Sequence, residues 1–286
     1  MFSGWFVQDE YFRRRLPGAA TVLVLVLGCG PGLAVDAPTG VAHEFDRENA
    51  RPLAGEDLRI RSAVGDRVDL YVSGDPASAR AILLFHEWWG LTDPVRAEAD
   101  RYARQGYYAA ALNVYGKPAT GNPRVARRNM RELDTRVARR RARAALDFLA
   151  GDERRVAVVG WCFGGGQALD AALESPGRVA AAVAYYGDLE TDPERLSRLR
   201  APVLAIFAAR DRWITPERAE AFRDAMAASG KPLEFASFDA GHAFANPTAR
   251  DYDGAAAEEA RALADAFIAR HLGAVPPPAT QTEEDP

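Results

Sequence analysis

A thiol stands where an apolar strand gives way to a helix. Arg155-Val156-Ala157-Val158-Val159 leads into Gly160-Trp161-Cys162-Phe163-Gly164-Gly165-Gly166, and the helical stretch Gln167-Ala168-Leu169-Asp170-Ala171-Ala172-Leu173 follows. A chain that reverses between a buried strand and a helix in so few residues needs glycine two positions before and two after the apex. The apex residue here is Cys162. A helix N-terminus aimed at its sulfur favours the thiolate, and the backbone N–H of Phe163 is placed to receive a developing oxyanion. The chemistry implied is nucleophilic attack on a carbonyl carbon. The competing reading is a small buried apolar residue, as most free cysteines are. The density of glycine around Cys162 argues against it.

A sulfur nucleophile works with a base, and the base with a group that orients it. In open parallel sheets such groups gather beyond the carboxyl ends of the strands. Asp211 meets that condition in the loop Ala208-Ala209-Arg210-Asp211-Arg212, and His242 meets it in Asp239-Ala240-Gly241-His242-Ala243-Phe244, just past the last strand. His43 lies at the entrance of the domain and His271 at the end of the last helix, too far to serve. His86 ends a strand and is read as shaping its own loop. The chain order Cys162, Asp211, His242 is nucleophile, acid, histidine, which is the order of the α/β-hydrolases. Glu87 follows the strand Ala81–Phe85 within His86-Glu87-Trp88-Trp89-Gly90. In that fold this loop supplies a second oxyanion donor, here the N–H of Trp88. A carboxylate in that place could deprotonate or hold the thiol, while alone it would disfavour the thiolate. No metal-ligand spacing is present, so neither a metal nor a cofactor is expected.

The elements that must position these residues are legible as pattern. Leu58–Arg61 and Val68–Val72 alternate around a turn at Gly65-Asp66 and predict an N-terminal hairpin. Near-continuous apolar runs at 81–85, 107–112, 156–159, 179–184 and 203–207 predict buried parallel strands, with a last strand over 233–238. Helices are expected around 95–105, 124–149, 166–174, 216–228 and 255–271. The expectation is one doubly wound, mostly parallel α/β domain over 43–272, an α/β-hydrolase fold.

Four motifs together resemble the dienelactone hydrolase family: His-Glu-x-x-Gly at 86–90, Gly-x-Cys-x-Gly-Gly at 160–165, Tyr-Tyr-Gly at 185–187 and Gly-His-x-Phe at 241–244. The resemblance implies that Cys162 is the nucleophile, His242 the general base and then acid, and Asp211 its orienting partner. It also implies that Glu87 pairs with the resting thiol and is displaced when substrate binds, which would shield a free thiol from oxidation. Two positions depart from the family. Where its founding members hold a substrate carboxylate with two arginines, this chain has Lys117, in Asn113-Val114-Tyr115-Gly116-Lys117, and Asn246. Lysine keeps the charge without the bidentate fork and asparagine loses the charge, so the founding substrate is not expected. Tyr115, Trp88, Trp89 and Phe244 are expected to line an apolar pocket, with Lys117 and Asn246 at its polar end. The partner implied is a small-molecule ester or lactone.

The chain has 286 residues, 48% hydrophobic, with a net charge of −4, which fits a globular protein and gives no sign of a nucleic-acid partner. Nine arginines between Arg124 and Arg143 are read as the solvated face of an amphipathic helix. Arg13-Arg14-Arg15 before the apolar run 19–27 has the shape of a secretory signal over 1–28, and Val26-Leu27-Gly28-Cys29 resembles a bacterial lipobox with Cys29 as the lipidated residue. Residues 29–42 read as a tether and 273–286 as a disordered tail. An exported, periplasmic or membrane-anchored monomer is expected, touching membrane only through its N-terminus. Cys29 and Cys162 are the two cysteines of the chain, so removal or lipidation of Cys29 leaves Cys162 a free thiol. Two rival readings stay open: a thioesterase or broader acyl hydrolase, and a non-catalytic surface lipoprotein that keeps the fold as a binding module.

Overall fold

The computed structural model describes residues 52–151 and 154–273. The segments read as signal, tether and tail, with Cys29, lie outside these residues. β1 (Glu56–Arg61) and β2 (Arg67–Ser73) form an antiparallel hairpin. The chain then alternates through β3 (Arg80–Phe85), α1 (Asp93–Arg104), β4 (Tyr108–Leu112), α2 (Pro123–Arg131), α3 (Thr135–Ala150), β5 (Arg155–Trp161), α4 (Phe163–Glu174), β6 (Val179–Tyr185), α5 (Pro193–Leu196), β7 (Val203–Ala208), α6 (Pro216–Ala228), β8 (Leu233–Phe238) and α7 (Gly254–Leu272). Eight strands make one sheet in the order β1-β2-β4-β3-β5-β6-β7-β8, in which β1 and β2 are antiparallel to their neighbours and the rest are parallel. This is the α/β-hydrolase fold.

Successive strand residues point to opposite faces, so each central strand feeds two cores. Ala81, Leu83 and Phe85 join Val156 and Val158 in one cluster, packed with Leu146 and Leu149 of α3, Leu169 of α4 and Phe222 of α6. Ile82 and Leu84 join Ala157 and Val159 in the other, packed with Tyr102 of α1 and with Phe267 and Ile268 of α7. Both faces are covered, which is why the central strands read as continuous apolar runs rather than alternating ones.

The long helix expected over 124–149 is two helices. Asn122 caps α2 by accepting from the N–H of Arg124, and Asp134 caps α3 by accepting from the N–H of Arg136. An internal capping residue offers the backbone a second start, which the continuous apolar periodicity conceals. Three arginines of the basic face are ion-paired: Arg139 with Asp170, Arg140 with Asp66 and Arg143 with Asp147. The short α5 carries no periodic signal because it is one turn capped by Asp192.

The tightest steric feature is the turn from β5 into α4. A Cβ on Gly160 would stand 1.9 Å from the carbonyl oxygen of Gly164, and a Cβ on Gly164 would stand 2.2 Å from that of Phe85. The obstructing atoms are backbone, so neither clash can be relieved by a rotamer change. Gly164→Ala is therefore expected to destabilise the fold by about 3 kcal/mol or more, whereas Gly177→Ala, whose Cβ would meet nothing within 4 Å, should be close to neutral. Urea denaturation of the two variants against wild type measures the difference.

Candidate active site

Cys162 follows β5 directly and precedes the first residue of α4, with φ 53° and ψ −119°. An L-residue held in that region costs about 1–3 kcal/mol. The surrounding bonds fix it: its N–H donates to the carbonyl of Tyr185 at 2.9 Å and its carbonyl accepts from Gly165 N–H at 2.9 Å. The strain lifts the side chain to partial exposure at the head of α4. Because Phe163 is the first residue of that helix, its N–H has no intrahelical acceptor and remains available to a ligand oxygen.

His242 meets the thiol from the loop after β8. Its Nε2 lies 3.1 Å from Cys162 Sγ and its Nδ1 lies 2.6 Å from Asp211 Oδ2. The left-handed Ala243, at φ 62°, turns the chain sharply just after the ring. Asp211 is buried, and its other oxygen, Oδ1, accepts from the N–H groups of Trp213 and Ile214 at 2.8 and 3.0 Å. Both carboxylate oxygens are thus committed, which fixes the imidazole plane. Burial opposes a charge on His242, but the Cys162 sulfur and the Asp211 carboxylate outweigh it and raise the ring to about 11. Nδ1 thus faces the carboxylate and Nε2 faces the sulfur.

Glu87 is positioned otherwise than the family resemblance implies. Its Oε2 accepts from Asn246 Nδ2 at 2.5 Å, rather than engaging the thiol. Oε1 is buried and has no hydrogen-bond partner. The Tyr186 hydroxyl, also buried, acts on this carboxyl without completing a bond of normal geometry. Burial dominates and pushes Glu87 above the usual carboxylate range, against the nearby His242 charge and the Asn246 donor. His86 has the structural role expected of it: Nδ1 bonds the Glu87 carbonyl at 2.6 Å, Nε2 accepts from Val114 N–H at 3.1 Å, and burial lowers the ring to about 4. It is a neutral brace for the loop that carries Glu87 and Trp88.

The expected pocket residues separate into groups. Tyr115 is buried, with its hydroxyl on the Trp88 carbonyl at 3.1 Å and its ring 5.2 Å from that of Phe163, so it supports the floor of the site. Trp89 is buried against Trp88, their rings 4.5 Å apart. Phe244 corrects its expectation: it is fully buried between Tyr186 and Phe238 and belongs to the core instead of a pocket wall. Asn246 is committed to Glu87 and Thr248, and Lys117 forms a surface ion pair with Glu132 at 3.1 Å. A cleft of about 700 Å³ reaches the Glu87 and Asn246 side chains from the side of α1 and α7, with Val95, Trp161, Tyr185 and Pro247 in its wall. Sequence reasoning missed Tyr186 and Trp213. Tyr186 sits at φ 35° with its ring 5.2 Å from His242, and Trp213, 38% exposed, lies 6.4 Å from the same ring. The Tyr-Tyr-Gly motif carried the first signal, and proximity to Asp211 the second. Among the described residues no group of three or more His, Cys, Asp or Glu side chains is placed to hold a metal ion.

The model of the dienelactone hydrolase family matches residues 68–272. The chain belongs to the dienelactone hydrolase family. The "Putative carboxymethylenebutenolidase" of Aquifex aeolicus is 27% identical over 220 residues, covering 73% of this chain and 95% of that protein. "Protein usf" of Aquifex pyrophilus is 26% identical over the same shares. The crystal structure of a dienelactone hydrolase from Anabaena variabilis superposes with a TM-score of 0.57 at 20% identity, covering 76% of this chain and 99% of that one, a likeness of fold. As a member of this family the protein is a carboxylic ester hydrolase.

The raised Glu87 gives a prediction whose sign is fixed. The folded protein keeps a proton that the unfolded chain releases near 4.5. The stability it contributes is therefore full below that pH and is lost as pH rises through the folded value. Glu87→Gln stays neutral and keeps an acceptor for Asn246. It is expected to raise Tm at pH 8 by about 2–4 °C and to leave it nearly unchanged at pH 4, as read by calorimetry at both values.

Proposed function

We propose that the protein hydrolyses a small ester or lactone through an acyl-thiol intermediate, with Cys162, His242 and Asp211 as its catalytic triad. The observation that carries the reading is the unbroken run of contacts from Sγ through both ring nitrogens to a doubly anchored carboxylate. The sulfur attacks the carbonyl carbon and forms an S–C bond, while the carbonyl oxygen takes up the charge facing the N–H groups of Phe163 and Trp88. As the tetrahedral intermediate collapses, the alkoxide leaves with the proton from His242 Nε2. The neutral ring then takes a proton from water as that oxygen attacks the thioester. The second collapse releases the acid and returns sulfur and imidazole to their starting charges.

The polar end of the site disfavours a substrate carboxylate as the main handle. Asn246 carries no charge and has both ends of its amide occupied, and Lys117 has Glu132 as its partner. Uncharged esters and lactones are the class this fits. An exported, lipid-anchored monomer remains part of the proposal, supported by the arginines, apolar run and Cys29 of the N-terminus.

Hydrolysis of p-nitrophenyl acetate by Cys162→Ala and His242→Ala is expected to fall by about 10²–10⁴ in kcat/KM. Undiminished turnover in Cys162→Ala removes the mechanism. For the address, radiolabelled palmitate should enter the expressed chain and be lost in Cys29→Ser. Equal labelling of both contradicts lipidation at that residue.

A further inference from the structure

We infer that Asn246 is a positioning residue that holds the Glu87 carboxyl away from Cys162, so that the sulfur and His242 are already paired before any substrate arrives. This rests on the reading of Cys162 as the nucleophile, and it replaces substrate-triggered release of the thiol with a standing arrangement.

The orientation of the Asn246 amide is settled by its partners. Its Oδ1 accepts from both the N–H and the hydroxyl of Thr248, at 2.9 and 2.8 Å, which turns Nδ2 toward Glu87. The grip on Glu87 Oε2 is short, 2.5 Å, and ties the loop after β3 to the loop after β8 across 159 residues of sequence. Glu87 is close enough to His242 to sense its charge, and the Tyr186 hydroxyl senses both Glu87 and Cys162. The carboxyl, the thiol, the imidazole and the phenol therefore share one neighbourhood, in which Glu87 and Tyr186 are buried and Cys162 and His242 are partly exposed. Within it, the Nε2 to Sγ contact at 3.1 Å is made while Glu87 faces the amide.

The physical reason for a latch is that a carboxyl group left unrestrained beside a thiolate works against it. Ionised, it repels the sulfur's charge, and protonated, it competes with His242 for the sulfur as a hydrogen-bond acceptor. One Glu87 oxygen has no partner in this structure, so the Asn246 amide supplies the only hydrogen bond that the described residues give this carboxyl in normal geometry. An arginine in place of Asn246 would also hold the carboxyl, but it would be drawn off by an anionic substrate. A neutral amide answers far more weakly to such a charge. The latch stays closed during binding, which suits the uncharged substrates proposed above.

The test is the rate of Cys162 alkylation by iodoacetamide from pH 5.5 to 9 without substrate, with the modified peptide identified by mass spectrometry so that Cys29 does not contribute. A free thiol of pKa about 8.5 would lose nearly a hundredfold in rate between pH 8 and pH 6. Wild type is expected to lose less than about threefold, because His242 Nε2 stands 3.1 Å from the sulfur, placed to hold its charge. Glu87→Gln should follow the wild-type profile. Asn246→Ala should lose about tenfold or more at pH 6, and Asn246→Ala with Glu87→Gln should regain it, because the second change removes the carboxyl that the first released. Steep wild-type dependence, or faster alkylation in Glu87→Gln, overturns the inference by showing that Glu87 restrains the thiol at rest. A double variant as slow as Asn246→Ala overturns it too, by reducing Asn246 to a structural role. The wild-type and Glu87→Gln arms decide the matter even if Asn246→Ala folds poorly. Alkylation needs no ester turnover, so an inactive but fast-reacting enzyme counts against the proposed substrate class and leaves the latch standing.

Discussion

The site hangs on a steric constraint: at the turn from β5 into α4 the backbone passes so close to itself and to the end of β3 that no Cβ fits at Gly160 or Gly164. That approach forces Cys162 into its left-handed conformation and places its sulfur over the N-terminus of α4. Everything else is placed by reference to it. The loop after β3 must run against Gly164, which brings His86 and Glu87 to the same spot, and the end of β6 must pass Gly165, which brings Tyr186 in behind His242. The strain at the elbow is offset by the two buried cores that clamp β5 from both faces.

Electrostatics then decides which partner the sulfur has. Asp211 spends one oxygen on backbone N–H groups and the other on His242, so the imidazole has a fixed plane and a fixed proton on Nδ1. Its remaining nitrogen can serve only the sulfur. Glu87 is the second acidic group in this neighbourhood: burial favours its neutral form, and its Oε2 accepts from Asn246. Two acidic groups near one thiol are thereby given different partners, Asp211 the imidazole and Glu87 the Asn246 amide.

Much of this was legible in sequence because the constraint itself is written in glycine. The spacing of Gly160 and Gly164 about Cys162, and the strand-end positions of Asp211 and His242, mark the three residues that meet. The strands read correctly because burial on both faces makes them uninterrupted apolar runs. What sequence could not show was pairing among polar side chains. Glu87 and Asn246 are 159 residues apart, and nothing in either local pattern says that they bond. Phe244 resembles a pocket residue by its place in the motif, yet it is packed into the core because the turn at Ala243 sends the following side chain inward. The split between α2 and α3 was hidden for a similar reason, since Asp134 has the same composition whether it caps a helix or decorates one.

The most direct measurement of the central claim is rapid acid quench of the enzyme mixed with excess p-nitrophenyl acetate, followed by mass spectrometry of the intact chain and its peptides. The account predicts a burst of p-nitrophenol and a single acetyl group on the peptide containing Cys162, absent from Cys162→Ala. An acetyl group on a serine or on His242, with Cys162 unmodified throughout turnover, would contradict it.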